Sequence, residues 1–199
     1  MSKPSEIHMN IALGVLNYLE YTKHHDLKYV RSDEPLQIVG YTDSDWARSK
    51  DYHSISGYCF KLNKYSALIS WKSEKQTLIA GSTCEAEYLA LHFGCCEALF
   101  LRQLIAEFTN EGEQMVTIWN DNVGTIALAQ HNTFHKKTKH IGLKYHIVRD
   151  YVAKKYINVL YVPSKDNLAD MATKPIKSHN MRNFTAIRGI FPKYGRLST

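Results

Sequence analysis

The chain has 199 residues, with 25 lysines and arginines against 19 aspartates and glutamates, which gives a formal net charge of +6. This length suits one domain with a buried core, and the apolar content of 44% argues against wholesale disorder. No apolar run reaches the roughly 20 residues that cross a bilayer, and the N-terminus lacks a signal-peptide core, so we expect an intracellular protein without membrane contact. The four cysteines fall in no metal-finger spacing, which favours reduced thiols.

The first predicted elements are a helix followed by three strands. Residues 5–20 have apolar positions at helical spacing behind an N-cap at Ser5, and residues 24–35 are polar and are expected to form a linker. Residues 36–43 are predicted to be a central strand, and residues 55–62 and 67–71 two further strands joined as a hairpin.

The longest predicted helix covers residues 85–108, and strands then alternate with helices. Its predicted apolar stripe consists of Ala86, Leu89, Phe93, Cys96, Phe100 and Leu104. Later strands are predicted over residues 115–121 and 157–162, and later helices over residues 123–130, 140–154 and 166–173. Residues 177–199 have little periodicity and are expected to be a loose tail. This order predicts an α/β sheet that is covered by helices.

The positive charge is concentrated in the last third of the chain. Residues 1–130 carry 11 basic and 16 acidic residues, whereas residues 131–199 carry 14 basic and three acidic residues. Phosphate backbones attract a basic stretch interleaved with tyrosines, although a solvated helix face has the same composition. The candidate nucleic-acid contacts are Lys136, Lys137, Lys139, His140, Lys144, His146 and Arg149.

Four carboxylates stand at the boundaries of predicted elements. Asp43 and Asp121 end strands, Glu85 opens the long helix, and Asp170 lies in the last helix. Such boundaries converge at one edge of an α/β sheet, where clustered carboxylates repel each other unless cations neutralise them. Oxygen ligands favour Mg²⁺ or Mn²⁺, and a pair of these ions can support phosphodiester cleavage. Helix capping alone also places acids at such boundaries, so spacing leaves both interpretations open.

A series of short motifs makes the chain resemble a known family. In order they are Tyr41–Ala47, Ser56–Tyr58, Ile69–Gln76, Cys84–Leu91, Asn120–Asn122, Lys139–Ile141, Lys144–His146, Val162–Pro163, Leu168–Asp170 and Thr173–Pro175. Together they resemble the ribonuclease H (RNase H) region of the Pol polyprotein of copia-type LTR retrotransposons, a group that includes several yeast Ty elements. The likeness runs from about Ser5 to Pro175.

The resemblance implies an α/β, RNase H-like fold, in which helices flank a five-stranded mixed sheet. It also implies hydrolysis of the RNA strand of RNA–DNA hybrids with two Mg²⁺ or Mn²⁺ ions. By motif, Asp43, Glu85, Asp121 and Asp170 match the catalytic and metal-binding acids of the family. Glu87 lies two residues further along the helix and is expected to face away from the metals.

The resemblance also divides the chain into three parts. Residues 1–35 match the end of the connection to the reverse transcriptase, residues 36–176 the RNase H-like domain, and residues 177–199 a C-terminal tail. The implied partners are an RNA–DNA hybrid and the reverse transcriptase part of Pol. The implied compartment is the cytoplasm, within virus-like particles, with the nucleus as a second location. The polymerase motif is missing from this sequence, so we expect a truncated copy.

Departures from the family pattern leave a second interpretation open. Cys84 replaces a threonine that would cap the long helix, Gly142 replaces an acid within a helix, and Ala172 replaces a phenylalanine. The alternative is therefore a catalytically inactive remnant that at most binds nucleic acid. A transposase or integrase of the same fold superfamily is disfavoured, because those sites carry three acids in a different order.

Overall fold

The computed structural model describes residues 3–29, 36–47, 50–63, 66–110, 112–131 and 142–174, together with the backbone of residues 190–192. The helices within these ranges are α1 (Glu6–Thr22), α2 (Thr83–Thr109), α3 (Val123–Gln130), α4 (Gly142–Ala153) and α5 (Asp170–Thr173). The strands are β1 (His25–Leu27), β2 (Val39–Asp45), β3 (Ile55–Lys61), β4 (Leu68–Lys75), β5 (Val116–Asn120), β6 (Ile157–Tyr161) and β7 (Ile190–Pro192).

The centre of the fold is a five-stranded sheet in the order β4-β3-β2-β5-β6. Strands β2, β3 and β4 pair antiparallel, whereas β5 pairs parallel to both β2 and β6. The predicted mixed sheet and the predicted β3–β4 hairpin are therefore confirmed. Because β2 and β5 are parallel neighbours, their C-terminal ends meet at the same edge of the sheet.

Helices cover both faces of this sheet, as neighbouring residues of β2 show. The side chain of Thr42 faces Gly94 of α2, and the side chain of Asp43 accepts a hydrogen bond from Thr173 of α5. Successive side chains of a strand point to opposite faces, so α2 and α5 lie on opposite sides of the sheet. The main core lies on the α2 side, where its largest buried members include Phe60, Tyr88, Leu89, Leu91, Ile118, Val148 and Val159.

The long helix α2 is confirmed, but its predicted apolar stripe is wrong in part. Ala86 and Leu89 are buried, whereas Cys96 and Phe100 are exposed. The face that packs on the sheet carries small side chains, and a Cβ added at Gly94 would lie 2.4 Å from Cγ2 of Thr42. Because α2 lies close to the sheet, small residues occupy the helix face that packs on it, whereas the sequence prediction assigned that face to large apolar residues.

By length and composition, α2 could also cross a membrane, because an 18-residue window has a mean hydropathy of 1.4. That observation is weak evidence, since the core helix of a water-soluble domain passes the same test. In this protein 44% of the window is buried inside the domain, and the helix supplies much of the core. The hydropathy of α2 is therefore accounted for by its packing against the sheet.

Both ends of the chain differ from the prediction. Residues 24–35 were expected to be a linker and residues 177–199 a loose tail, but β1 and β7 pair antiparallel, with His25 opposite Pro192. The helix α1 is confirmed, and all of its described side chains are exposed apart from that of Thr22, which is partly buried. The domain boundaries at residues 35 and 176 lie outside the described residues and stay predictions.

The last predicted helix, over residues 166–173, is interrupted. A 3-10 turn covers Ser164–Asp166, and α5 begins only at Asp170. Asn167 separates the two segments with an extended backbone, and its side-chain oxygen accepts a hydrogen bond from the backbone N–H of Ala169 at 3.1 Å. An asparagine that bonds its own backbone in this way competes with the helix.

One of the three departures from the family pattern, Cys84, does not weaken a helix in the expected way. The N-cap of α2 is Ser82, whose hydroxyl accepts the backbone N–H of Glu85 at 3.2 Å, so Cys84 is not the capping residue. Gly142 is the first described residue of α4, and residue 141 lies outside the described part of the chain. Ala172 lies directly over Gly57 of β3, where an added Cβ would come within 2.8 Å of the alanine methyl group.

The outer strand β4 is largely exposed along its second half and carries charged side chains there. Lys72 pairs with Glu74 at 2.6 Å, and Lys75 forms an ion pair with Asp51. The edge of the sheet that β4 forms is therefore lined by charges of both signs.

We expect Gly94→Ala to destabilise the protein by about 1–3 kcal/mol, because the new methyl group overlaps Thr42 in a packed contact. The measurement is the free energy of unfolding in urea. Gly14→Ala in α1 is the matched control, since nothing lies within 4 Å of its added Cβ. There the better helix propensity of alanine should stabilise the helix by up to about 1 kcal/mol. Equal stability of Gly94→Ala and wild type would contradict the close contact.

Candidate active site

Three of the four predicted acids come together at the edge where β2 and β5 end. Asp43 lies in β2, Asp121 follows β5 directly, and Asp170 is the first residue of α5. One carboxylate oxygen from each lies within 4.8 Å of the other two, an arrangement that could hold a metal ion. Asp43 is buried, whereas Asp121 and Asp170 are partly exposed. The donors are all carboxylate oxygens, which suit a hard divalent cation.

The acid of α2 that lies beside this cluster is Glu87, so the expectation that Glu87 faces away from it is wrong. The carboxylate of Glu85 accepts the backbone N–H of Gly81 at 2.8 Å, at the start of α2. The buried carboxylate of Glu87 accepts the backbone N–H of Ser44, next to Asp43, at 3.1 Å. Glu87 therefore faces the cluster that it was expected to avoid.

Helix geometry explains the difference between the two glutamates. Residues two positions apart on a helix are about 200° apart around its axis, so only one of them can face the sheet edge. Glu87 shares a face with Leu91, Gly94 and Ala98, which are all buried. Glu85 lies in the first turn, where free backbone N–H groups need acceptors. The small residues at this spacing are the sequence signal that would have identified Glu87.

Two buried asparagines hold the strand ends in place, and neither was predicted from the sequence to have this role. The ladder between β2 and β5 ends at Tyr41 and Trp119, so the carbonyl of Thr42 needs another donor. The side-chain amides of Asn120 and Asn167 donate to this carbonyl at 3.3 Å and 3.0 Å.

The same two amides also reach the acids of the cluster. Asn120 donates to the carboxylate of Glu87 at 3.1 Å, and Asn167 donates to that of Asp121 at 3.4 Å. They therefore link the backbone of β2 to the positions of two carboxylates.

The segment at the end of α5 contacts the cluster from the other side of the sheet. The hydroxyl of Thr173 donates to Oδ2 of Asp43. The ammonium of Lys174 lies 2.7 Å from Oδ1 of Asp170 and 3.4 Å from Oδ2 of Asp43. Both residues belong to a motif that carries the family resemblance, but neither was predicted to have a role at the site.

Burial and mutual repulsion shift the titration of this cluster. Burial, followed by the charges of Asp43 and Asp121, raises the pKa of Glu87 to about 8. Burial also raises the pKa of Asp43 to about 6, although Thr173 and Lys174 oppose the shift. The carboxylates of the cluster therefore bind protons or cations more readily than isolated, exposed carboxylates do.

The predicted nucleic-acid surface is described only in part. Lys136, Lys137, Lys139 and His140 lie outside the described residues. The other three, Lys144, His146 and Arg149, lie on α4. Lys144 and Arg149 lie over the rings of Phe93 and Tyr145, each 5.1 Å from the ring centre. His146 and Arg149 line an open groove of about 610 Å³.

Comparison with known proteins finds relatives of nearly the whole chain, although no family model matches. The chain is 33% identical over 191 residues to the retrovirus-related Pol polyprotein from transposon RE1 of Arabidopsis thaliana, which covers 96% of this chain and 13% of that polyprotein. A shorter match, 40% identical over 101 residues, is to Secreted RxLR effector protein 161 of Plasmopara viticola, and covers 50% of this chain and 69% of that protein.

Solved structures share the fold at lower sequence identity. LC11-RNase H1, isolated from compost, matches with a TM-score of 0.52 and 18% identity, over 70% of this chain and 94% of its own. The five-stranded mixed sheet and its flanking helices are therefore those of the RNase H fold. Sequence likeness along 96% of the chain therefore makes it homologous to a segment of the Pol polyproteins of copia-type retrotransposons, about 13% of their length, and this segment has the RNase H fold.

Proposed function

We propose that this chain is a divalent-metal-dependent endonuclease that hydrolyses the RNA strand of RNA–DNA hybrids. The observation that carries the proposal is the convergence of Asp43, Asp121 and Asp170 within 4.8 Å at the end of an RNase H-like sheet. The structure of LC11-RNase H1 with an RNA/DNA hybrid, which matches this chain with a TM-score of 0.50, supports the choice of substrate.

The three aspartates are the proposed ligands of two Mg²⁺ or Mn²⁺ ions, and Glu87 is the fourth acid of the site. When bound, such ions activate water as a nucleophile and stabilise the leaving oxygen. Ser44 and Asn120 orient the Glu87 carboxylate, and Asn167 orients Asp121. Glu85 has no part in this assignment, because its carboxylate is engaged with the helix start.

The helix α4 is the proposed contact to the hybrid. Lys144, His146 and Arg149 are presented on this helix, and the groove beside it is lined by two of them. Contacts of basic side chains with phosphates supply affinity, whereas the groove shape and 2′-hydroxyl groups of the RNA strand supply the preference for a hybrid. Since the relatives are Pol polyproteins, we propose the reverse transcriptase part of Pol as the partner that delivers the hybrid.

The test is hydrolysis of a 5′-labelled RNA–DNA hybrid with Mg²⁺ or Mn²⁺, beside single-stranded RNA and duplex RNA. We expect cleavage of the hybrid alone, and loss of cleavage when EDTA removes the metal. Folded protein that retains the hybrid without cutting it would instead establish the inactive remnant.

Glu87→Gln and Asp121→Asn are expected to reduce the rate of hybrid cleavage by at least about 100-fold, the scale on which loss of one preorganised charged or polar group acts. Glu85→Gln is the matched control in the same helix and should stay within about threefold of wild type, because its carboxylate accepts the backbone N–H of Gly81 just before α2. Loss of activity in Glu85→Gln with full activity in Glu87→Gln would reverse the assignment.

Arg149→Gln is expected to weaken binding of the hybrid and to lower the slope of log Kd against log salt by about 1, since one phosphate contact is lost. Fluorescence anisotropy with a labelled hybrid, in Ca²⁺ at several salt concentrations, measures both quantities. Lys154→Gln, directly after the end of this helix, is the control, because Lys154 pairs with Asp150 of α4 at 2.7 Å. An equal salt slope in wild type and Arg149→Gln would exclude Arg149 as a phosphate contact.

Glu87 should also make the metal-free protein less stable as the pH rises. The ordinary pKa of this group is 4.5 and its pKa in the folded protein is about 8, so the folded state binds the proton more tightly than the unfolded chain. The free energy of unfolding should therefore fall between about pH 5 and pH 8 and remain low above that range.

Glu87→Gln should remove most of this decline and should be more stable than wild type at pH 9 by at least about 1 kcal/mol, as a shift of one pKa unit or more requires. A smaller decline should remain, because the pKa of Asp43 is raised in the same direction. Urea unfolding in EDTA across this pH range is the measurement, with Glu85→Gln as control. A decline that Glu87→Gln leaves unchanged would argue against the burial of an ionisable Glu87.

A further inference from the structure

Lys174 occupies a position within the aspartate cluster that the proposed chemistry does not use. Its ammonium lies 2.7 Å from Oδ1 of Asp170 and 3.4 Å from Oδ2 of Asp43, and so bridges two of the three proposed metal ligands. The Asp43 side chain is only 2% exposed, and that of Asp170 is 26% exposed. The positive charge of Lys174 is therefore directed at the least solvated part of the cluster.

The backbone of Lys174 is held in place at the end of α5. Lys174 is the C-cap of α5, and its backbone N–H donates to the carbonyl of Asp170 at 2.8 Å. The preceding residue, Thr173, is buried and donates to Oδ2 of Asp43. The Lys174 side chain itself is 37% exposed, so it has room to move into solvent while its backbone stays in place.

We propose that Lys174 is a tethered counter-ion, which takes the place of a divalent cation between Asp43 and Asp170 in the metal-free protein and leaves these carboxylates when the metal binds. This inference rests on the proposed function, because it assumes that the aspartates are metal ligands. Lys174 is then a positioning residue: it holds the carboxylates together before the metal arrives and competes with the metal afterwards.

Physical arguments favour competition between Lys174 and the metal ion over a permanent ion pair of Lys174 with the aspartates. An ammonium and a divalent cation seek the same carboxylate oxygens, and two cations in contact with one another repel each other. The Lys174 side chain is 37% exposed and can return to water, and the divalent cation then replaces its charge beside the buried carboxylate of Asp43. Thr173 carries no charge and can keep its hydrogen bond to Asp43 after the lysine has moved.

The test uses Mn²⁺ alone as the probe, with binding measured by the electron paramagnetic resonance signal of the free ion. We expect Lys174→Met to bind Mn²⁺ with a Kd roughly three- to tenfold lower than wild type, a modest effect because solvent screens the competing charge. Lys174→Gln serves as a second variant that keeps a polar side chain. Lys75→Met is the control, because it removes a lysine from an ion pair with Asp51 on β4.

Thermal unfolding supplies a second readout that is independent of activity. In EDTA, Lys174→Met should unfold at a lower temperature than wild type, because the carboxylates lose their counter-ion. Saturating Mn²⁺ should then raise its Tm by more than it raises that of wild type. Lys75→Met should show the same Mn²⁺ increment as wild type.

An unchanged or higher Kd for Mn²⁺ in both Lys174 variants would overturn the inference and would make Lys174 a support of the metal-bound site or a contact to substrate. Failure of the proposed function gives a different result. In that case wild-type protein would bind Mn²⁺ more weakly than Lys174→Met and yet leave the hybrid uncut.

Discussion

Mutual repulsion among carboxylates at the end of β2 and β5 is the constraint on which this structure depends. The chain opposes it with neutral donors and one cation placed around the acids. Backbone N–H of Ser44 and the amide of Asn120 bind Glu87, the hydroxyl of Thr173 binds Asp43, and Lys174 lies between Asp43 and Asp170. Burial, with the repulsion added to it, raises the pKa values of Asp43 and Glu87 despite these contacts, so the compensation is partial. A site that is incompletely neutralised retains affinity for further cations.

The fold determines how close together these acidic side chains lie. Parallel pairing brings the ends of β2 and β5 to one edge, and the two buried asparagines satisfy the Thr42 carbonyl where the ladder stops. On one face, the close approach of α2 through Gly94 brings Glu87 to the same edge. On the other face, α5 packs over Gly57 and delivers Asp170 and Thr173. Packing on both faces of the sheet therefore sets the spacing of the acids.

The sequence predicted most of the elements, because apolar periodicity and turn residues are local signals. Asp43, Asp121 and Asp170 were also found, since an acid at the end of a strand or the start of a helix has a definite place in an α/β sheet. The expectation that Glu87 faces away from the cluster was wrong, because the orientation of Glu87 depends on which helix face meets the sheet, and small residues mark that face less clearly than large ones. The contacts of Asn167 and Lys174 join segments more than 100 residues apart, with separations of 125 and 131 positions, and no local pattern encodes them.

The charged outer strand β4 has a consequence for the behaviour of the protein in concentrated solution. A strand at the edge of a sheet exposes backbone groups that can pair with another chain, and such pairing begins aggregation. Lys72, Glu74 and Lys75 line this edge, and a second copy that added its own β4 would strip water from these charges and their ion pairs. These charged side chains therefore oppose the pairing of β4 with a strand of another molecule.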